Sequence, residues 1–343
     1  MTIETNYLVA AAILLILSAV PTAVRLFGWQ EPSSELQKRR RERKLPGALR
    51  RIFLNGPAGR LEVVTNKITM SCESNPPPIL FVHGAFGTAR CWDKWMEYMA
   101  CVEPQRRIYA LSLRGHGQSC RPVDFNWATT DDYARDVAAC CSHIGTATVL
   151  VAHSAGGCVA QYGLAHSLFR VHALVLVGAV PPWGAYPVYM NWLRLDWTYI
   201  PRYLVSGGDI FSMLCSPALV QKAFFSDRVK KTDLDEYWQH MNKEESMALA
   251  TTISFVTASV EKATGANERV HIIAGRVDKL MSLDMMLDVH AEYAKGNMNT
   301  SIAIVDSGHN LMCDVNWVDG IESVCLRLRE WDHLVGEQRN ENK

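Results

Sequence analysis

The chain has 343 residues, 48% of them hydrophobic and 20% charged, with 35 basic residues against 35 acidic ones. That length can bury a large core, as one α/β domain with an insertion or as two smaller domains, and a formal net charge of zero gives no global attraction for nucleic acid or an acidic partner. The ten cysteines form no C-x-x-C and show no ligand spacing with histidine, so neither a zinc site nor a compact disulfide framework is expected, and nothing asks for a metal or another cofactor.

Eighteen residues from Tyr7 to Val24 carry no charge, and as a helix they would span roughly 27 Å, enough to cross a thin bilayer. Only Glu4 stands charged before them, and Pro21 interrupts the small-residue run that signal cleavage would need, so a retained anchor is expected. Arg25, Lys38, Arg39, Arg40, Arg41, Arg43, Lys44, Arg50 and Arg51 all follow the segment and no Lys or Arg precedes it, which orients the bulk of the chain toward the cytoplasm. The expectation is a single-pass membrane protein, with the endoplasmic reticulum as its expected membrane and residues 1–45 as anchor and basic linker. The basic run reads as a stop-transfer flank, not as a nucleic-acid site.

Past Pro46-Gly47 the pattern turns to strands. Arg51 to Leu54 and Leu61 to Thr65, around an Asn55-Gly56-Pro57 turn, predict a hairpin. Apolar strands are then expected at Ile79–Val82, Arg107–Leu113, Ala147–Val151, Ala173–Val177, Val270–Ala274 and Ser301–Val305. Helices are expected from Ala89 to Met99, from Asp131 (capped by Thr130) to Gly145, and up to about Ser167. Strands this apolar, separated by helices, predict a mostly parallel sheet covered on both faces. Between Pro181 and about Arg269 the alternation lapses, and residues 183 to 238 hold twelve of the chain's 31 aromatic residues.

The run Thr148-Val-Leu-Val-Ala-His-Ser-Ala-Gly-Gly-Cys158 passes from a β-branched strand to small residues that open a helix, with Ser154 at the break. Small neighbours, Ala152 two before and Gly156 two after, permit a tight turn that lifts the hydroxyl clear of the sheet. This stretch resembles the nucleophile elbow of the α/β-hydrolase family, with Ala152 where the first glycine of G-x-S-x-G usually stands. His83-Gly84-Ala85-Phe86-Gly87 after the Ile79–Val82 strand and Leu113-Arg114-Gly115-His116-Gly117-Gln118-Ser119 after the next strand are similar to two further stretches of that family. The resemblance covers roughly residues 50 to 335. It implies an α/β-hydrolase domain over 46–343 with a helical cap at 182–268, inserted after the sixth strand.

A serine hydroxyl is scarcely ionised at neutral pH, so Ser154 needs a base and a group to hold that base. In the order this family uses, both follow the serine, acid first. His309, in Asp306-Ser307-Gly308-His309-Asn310, lies after the last strand, and Asp278, in Ala274-Gly275-Arg276-Val277-Asp278, lies after the strand before it. Both therefore leave the carboxyl edge of the sheet, where open α/β sheets place their sites. Asp306 is the rival acid. The resemblance assigns the oxyanion donors to the backbone N–H groups of Ala85 and Ala155. Phe86 and Trp183 are the expected pocket residues. His83, His116 and His153 read as structural, and Cys158 as a small buried hydrophobe. Ser154 in place of aspartate argues against the epoxide-hydrolase and dehalogenase branches. The expected activity is cofactor-free cleavage of a carboxylic ester of an apolar small molecule or lipid. The alternatives are acyl transfer, C–C hydrolysis or lyase chemistry on the same triad, and a non-catalytic binding module. Nothing in the sequence sets an oligomeric state.

Overall fold

Eight strands form one sheet: β1 (Arg50–Gly56), β2 (Gly59–Thr65), β3 (Ile79–Val82), β4 (Ile108–Ser112), β5 (Thr148–His153), β6 (Val171–Val177), β7 (Val270–Gly275) and β8 (Thr300–Val305). Their spatial order is β1-β2-β4-β3-β5-β6-β7-β8. β2 runs antiparallel to both its neighbours, and β3 to β8 are mutually parallel. The computed structural model describes residues 45–47, 49–66, 76–255, 258–260, 269–295 and 299–341. The Tyr7–Val24 segment expected to anchor the chain lies outside the described residues. Among those described, no helix is long and apolar enough to cross a membrane.

Side chains alternate across a strand, so each buried strand feeds two cores. On β5, Val149 and Val151 join a cluster with Phe81, Trp92, Trp95, Met96 and Leu328, under α1 (Asp93–Val102) and α10 (Trp317–Glu341). Leu150 and Ala152 face the other way, onto Val137 of α2 (Thr130–Ile144), Val159 of α3 (Ser154–Ala165) and Val289 of α9 (Leu283–Ala294). With no exposed face, every strand from β3 to β7 is wholly buried, apart from one partly exposed residue on β6, which is why these strands read as unbroken apolar runs.

Two local expectations shift. The hairpin pairs Asn55 with Arg60 and Gly56 with Gly59, so its turn is Pro57-Ala58 and not Asn55-Gly56-Pro57. Gly59 supplies the positive φ of 126° that the tight connection needs. The cap of α2 is Thr129 and not Thr130. Thr129 and Asp132 each satisfy the other's backbone N–H, a reciprocal arrangement that Thr130 could not make because its own hydroxyl reaches Thr252, 2.9 Å away.

Between β6 and β7 lie α4 (Tyr186–Leu195), α5 (Tyr199–Val205), α6 (Pro217–Phe224), α7 (Lys231–His240) and α8 (Met247–Phe255). Their aromatic and aliphatic faces merge with the helix-side core of the sheet rather than forming a separate one: Trp192, Phe211, Phe224 and Leu249 belong to the same buried cluster as Leu150 and Leu176. This cap roofs the carboxyl edge of the parallel strands.

Candidate active site

Ser154 sits where β5 ends and α3 begins, with φ of 53°. A non-glycine residue in that left-handed region costs on the order of 1–3 kcal/mol, and the flanking strand and helix hold it there. Gly156 is required by proximity, since a Cβ on it would lie 2.2 Å from the His83 carbonyl oxygen. The loop after β3 also approaches closely at Gly84, where a Cβ would come within 2.7 Å of the Ser154 Cβ.

The Ser154 Oγ lies 2.9 Å from Nε2 of His309, and Nδ1 of His309 lies 2.8 Å from Oδ2 of Asp278. The other Asp278 oxygen accepts from the N–H groups of Leu280 and Met281 at 2.8 and 2.9 Å. A carboxylate so held leaves its second oxygen for the imidazole N–H, which fixes the tautomer with the Nε2 lone pair toward the serine. All three side chains are buried. Asp306 stands elsewhere: its carboxylate is half exposed and pairs with Arg228 at 2.8 Å.

The loop carrying His309 is tied down from three sides. Asp314 accepts from the Gly308 N–H at 2.8 Å and from the N–H and hydroxyl of Ser226. Asn310 N–H donates to the Phe224 carbonyl of the cap. His153, beside the serine, donates from Nε2 to the His309 carbonyl at 3.0 Å. Burial first, then His309, pushes the His153 pKa well below the ordinary histidine value, so the ring is a neutral strut. Cys158 is an inert thiol, its pKa pushed up to about 12 by burial.

Ala155 is the second residue of α3, where a helix N–H has no partner one turn back. Across from it, Gly84 to Gly87 form a turn closed by Gly87 N–H to the Gly84 carbonyl at 3.1 Å. Phe86, third in that turn, takes φ of 59°, and its N–H donates to Oε2 of Glu245 at 3.1 Å. The Phe86 N–H is therefore committed, while the Ala85 N–H has no partner among the described residues. Two unpaired N–H groups, of Ala85 and Ala155, thus flank the serine.

These groups line a narrow cavity of about 80 Å³ whose walls are apolar: Ala85, Phe86, Val188, Trp192, Ile210, Met213, Phe224, Leu249, Ile253 and Leu280 among them. Phe86 lies on this wall and Trp183 does not. Pro181 to Gly184 form a turn, closed at 3.0 Å, that carries Trp183 outward to the surface, between Val180 before it and Ala185, Val188, Tyr189 and Trp192 after it, which line the cavity, the last four spaced for one side of α4. The Tyr189 hydroxyl on the wall is engaged by the Ala250 carbonyl, and Glu245 is fully bonded. Ser154 and His309 are thus the polar groups of the wall poised for chemistry. Among the described residues no group of three or more His, Cys, Asp or Glu side chains is arranged to hold a metal ion.

Sequence reading missed Glu245, Asn242 and Asp314. Asn242 and Glu245 lie in the polar run Asn242-Lys243-Glu244-Glu245-Ser246, which looks like a solvated loop, and the one available hint was that this run interrupts an aromatic-rich insertion; Asp314 stands alone between Cys313 and Val315 with no motif to mark it.

A serine at the sharp turn after β5, a carboxylate after β7 and an imidazole after β8, joined by hydrogen bonds beneath helices inserted after β6, form the arrangement of an α/β hydrolase. The chain belongs to the alpha/beta hydrolase family, whose sequence model matches residues 79–315, more than half of its length. It is similar to a non-heme haloperoxidase of Rhodococcus erythropolis, 39% identical over 107 residues, which is 31% of this chain and 38% of that protein. A non-heme chloroperoxidase of Streptomyces lividans is 37% identical over 107 residues, 31% of this chain and 37% of that protein, so the chain spans well under half the length of these curated relatives. Among solved structures, an esterase from Thermogutta terrifontis superposes with a TM-score of 0.61 at 18% identity, over 82% of this chain and 99% of that one, a likeness of fold.

Proposed function

We propose that the protein is a serine hydrolase that cleaves a carboxylic ester of an apolar small molecule or lipid. The observation that carries this is the bonded series from Ser154 through His309 to Asp278 at the base of an apolar cavity. In this reading His309 Nε2 takes the Ser154 proton as Oγ attacks the ester carbonyl. The N–H groups of Ala85 and Ala155 receive the negative oxygen, and Asp278 stabilises the imidazolium. The imidazolium then protonates the departing alkoxide, leaving an acyl-enzyme. Water, deprotonated by His309, releases the acid and restores the serine. The walls suit an acyl or alkyl group, since burying apolar surface contributes roughly 25 cal/mol per Å².

Fluorophosphonate labelling and an ester panel of rising chain length test the reading: covalent labelling at Ser154 with turnover of short or medium apolar esters is expected, and a protein that does neither is not this enzyme. A second reading, transfer of the acyl group to an acceptor other than water, uses the same three residues, since an acyl-enzyme can be opened by any nucleophile that reaches it. Adding an alcohol or hydrogen peroxide to the ester assay separates the two by whether the acid or the new acyl product accumulates. In this reading the uncharged Tyr7–Val24 segment holds the enzyme at a membrane. Resistance of the full chain to alkaline extraction, and absence of glycan at Asn299 in Asn299-Thr300-Ser301, are the expected results; a glycan there reverses the orientation.

A further inference from the structure

The cap carries one buried carboxylate that the hydrolytic steps above do not use. Glu245, in the loop between α7 and α8, spends both oxygens on four contacts: Tyr133 hydroxyl and Ser246 N–H on Oε1, each at 2.9 Å, and Phe86 N–H and His116 Nε2 on Oε2, each at 3.1 Å. With its acceptor sites filled, the group shapes the site and does not bind substrate. Three residues earlier on the same loop, Asn242 donates its backbone N–H to the Phe86 carbonyl at 2.9 Å, and its amide reaches the Glu244 carbonyl at 2.7 Å. The cap thus grips Phe86 by both of its backbone polar groups.

What it grips is a strained residue at the third position of the Gly84–Gly87 turn. A bulky side chain at φ of 59° occupies a conformation that glycine or asparagine normally fills. Left alone, this turn has reason to relax, and relaxation would rotate the adjoining Ala85 peptide and release the Phe86 N–H to compete for the same oxygen. We propose that Glu245 is a positioning residue of the cap. By holding the Phe86 N–H it locks the oxyanion loop and aims the neighbouring Ala85 N–H at the developing oxyanion, so that cap placement and transition-state stabilisation are one device. This rests on the hydrolase reading given above.

Kinetics of Glu245 variants test it, with concentrations normalised to folded enzyme. Glu245→Ala is expected to lower kcat by about 10²-fold, the scale of a lost oxyanion donor, with KM within about twofold, because ground-state contacts to the apolar walls persist. Glu245→Gln, close in volume and retaining one acceptor oxygen for the Phe86 N–H, is expected to recover part of that loss. The second-order rate of fluorophosphonate labelling should fall in the same order. Tyr133→Phe removes a contact to the same carboxylate without touching Phe86, and should lower thermal stability while leaving kcat within about threefold. A structural role alone predicts instead that kcat follows stability across all three variants. Folded Glu245 variants with wild-type kcat, or with a loss confined to KM, overturn the inference while leaving the hydrolase reading intact. Should Glu245→Ala fail to fold, the Gln variant against wild type decides. A wild-type protein that neither labels nor turns over an ester removes both readings together.

Discussion

Two buried histidine–carboxylate pairs stand among the described residues, and they differ in what the second ring nitrogen of each histidine meets. In one, His309 gives Nδ1 to Asp278 at 2.8 Å and keeps Nε2 against the Ser154 hydroxyl at 2.9 Å. In the other, His116 meets the Arg114 carbonyl through Nδ1 at 2.8 Å and Glu245 through Nε2 at 3.1 Å. Both nitrogens of His116 are occupied by acceptors of the protein, so neither is presented to a reacting group. Burial opposes the charge of Glu245, but His116 and hydrogen bonds from Ser246 and Tyr133 outweigh it and hold its pKa below the ordinary glutamate value. The neighbouring His83 has its pKa lowered to about 3, by burial first and then by His116, which leaves His83 neutral. Proximity of imidazole to carboxylate is common to both pairs; only the partner of the second nitrogen distinguishes them.

The largest expected effect breaks the first pair at its nucleophile. Ser154→Ala should abolish fluorophosphonate labelling and lower ester turnover on the order of 10⁶-fold, as loss of a triad serine does; undiminished labelling would place the nucleophile elsewhere. Asp278→Asn keeps the volume but removes the charge and favours the wrong tautomer, at a cost of about 10⁴ in kcat, measured beside a thermal melt. The second pair should respond in stability. His116→Ala leaves buried Glu245 without one of its four hydrogen-bond partners, so urea denaturation should show a loss of about 1–3 kcal/mol while kcat of the folded fraction stays within about tenfold.

Acid should test the buried histidines that sit outside the Ser154–His309–Asp278 series. His83 and His271 have pKa values near 3, both chiefly through burial, and His153 lies well below its ordinary value. Each is neutral in the fold and protonated below about 6.5 once unfolded, so the unfolded chain binds more protons. The stability they contribute is therefore complete above pH 6.5. It is lost as pH falls toward 3, by about 1.4 kcal/mol per pH unit for each ring. Denaturation midpoints measured from pH 7 to pH 4 should fall accordingly, and His271→Asn should flatten the curve. The smallest effect belongs to Asp306→Asn, whose exposed pairing with Arg228 is worth about 0–1 kcal/mol; activity should stay within about threefold. A dead but folded Asp306→Asn with an active Asp278→Asn would move the acid to Asp306.

Much of the frame is legible in the sequence because it is written locally. Runs such as Ile79–Val82 and Val270–Gly275 are apolar on every residue because both faces of a parallel sheet are covered, and the strand pattern carries the topology with it. Ser154, Asp278 and His309 stand out because chain order and strand ends constrain where each can lie. Trp183 and Trp192 show where that legibility ends. Nine residues apart in one aromatic-rich stretch, they look alike in sequence, yet one turn sends Trp183 to the surface and the helix that follows turns Trp192 into the cavity. Glu245, Asn242 and Asp314 were still less visible. A carboxylate in a polar loop reads as solvated until the fold surrounds it, and the partners of Glu245 lie 112 to 159 residues away in the chain, apart from its neighbour Ser246. The sequence by itself determined the order of strands and helices and nominated Ser154, Asp278 and His309, because those depend on short-range periodicity and on residue chemistry. Only the tertiary structure decided which histidine turns a nitrogen to the Ser154 hydroxyl, which aromatic residues face the apolar cavity and which carboxylate holds the Phe86 N–H, because each depends on contacts between segments that the chain holds far apart.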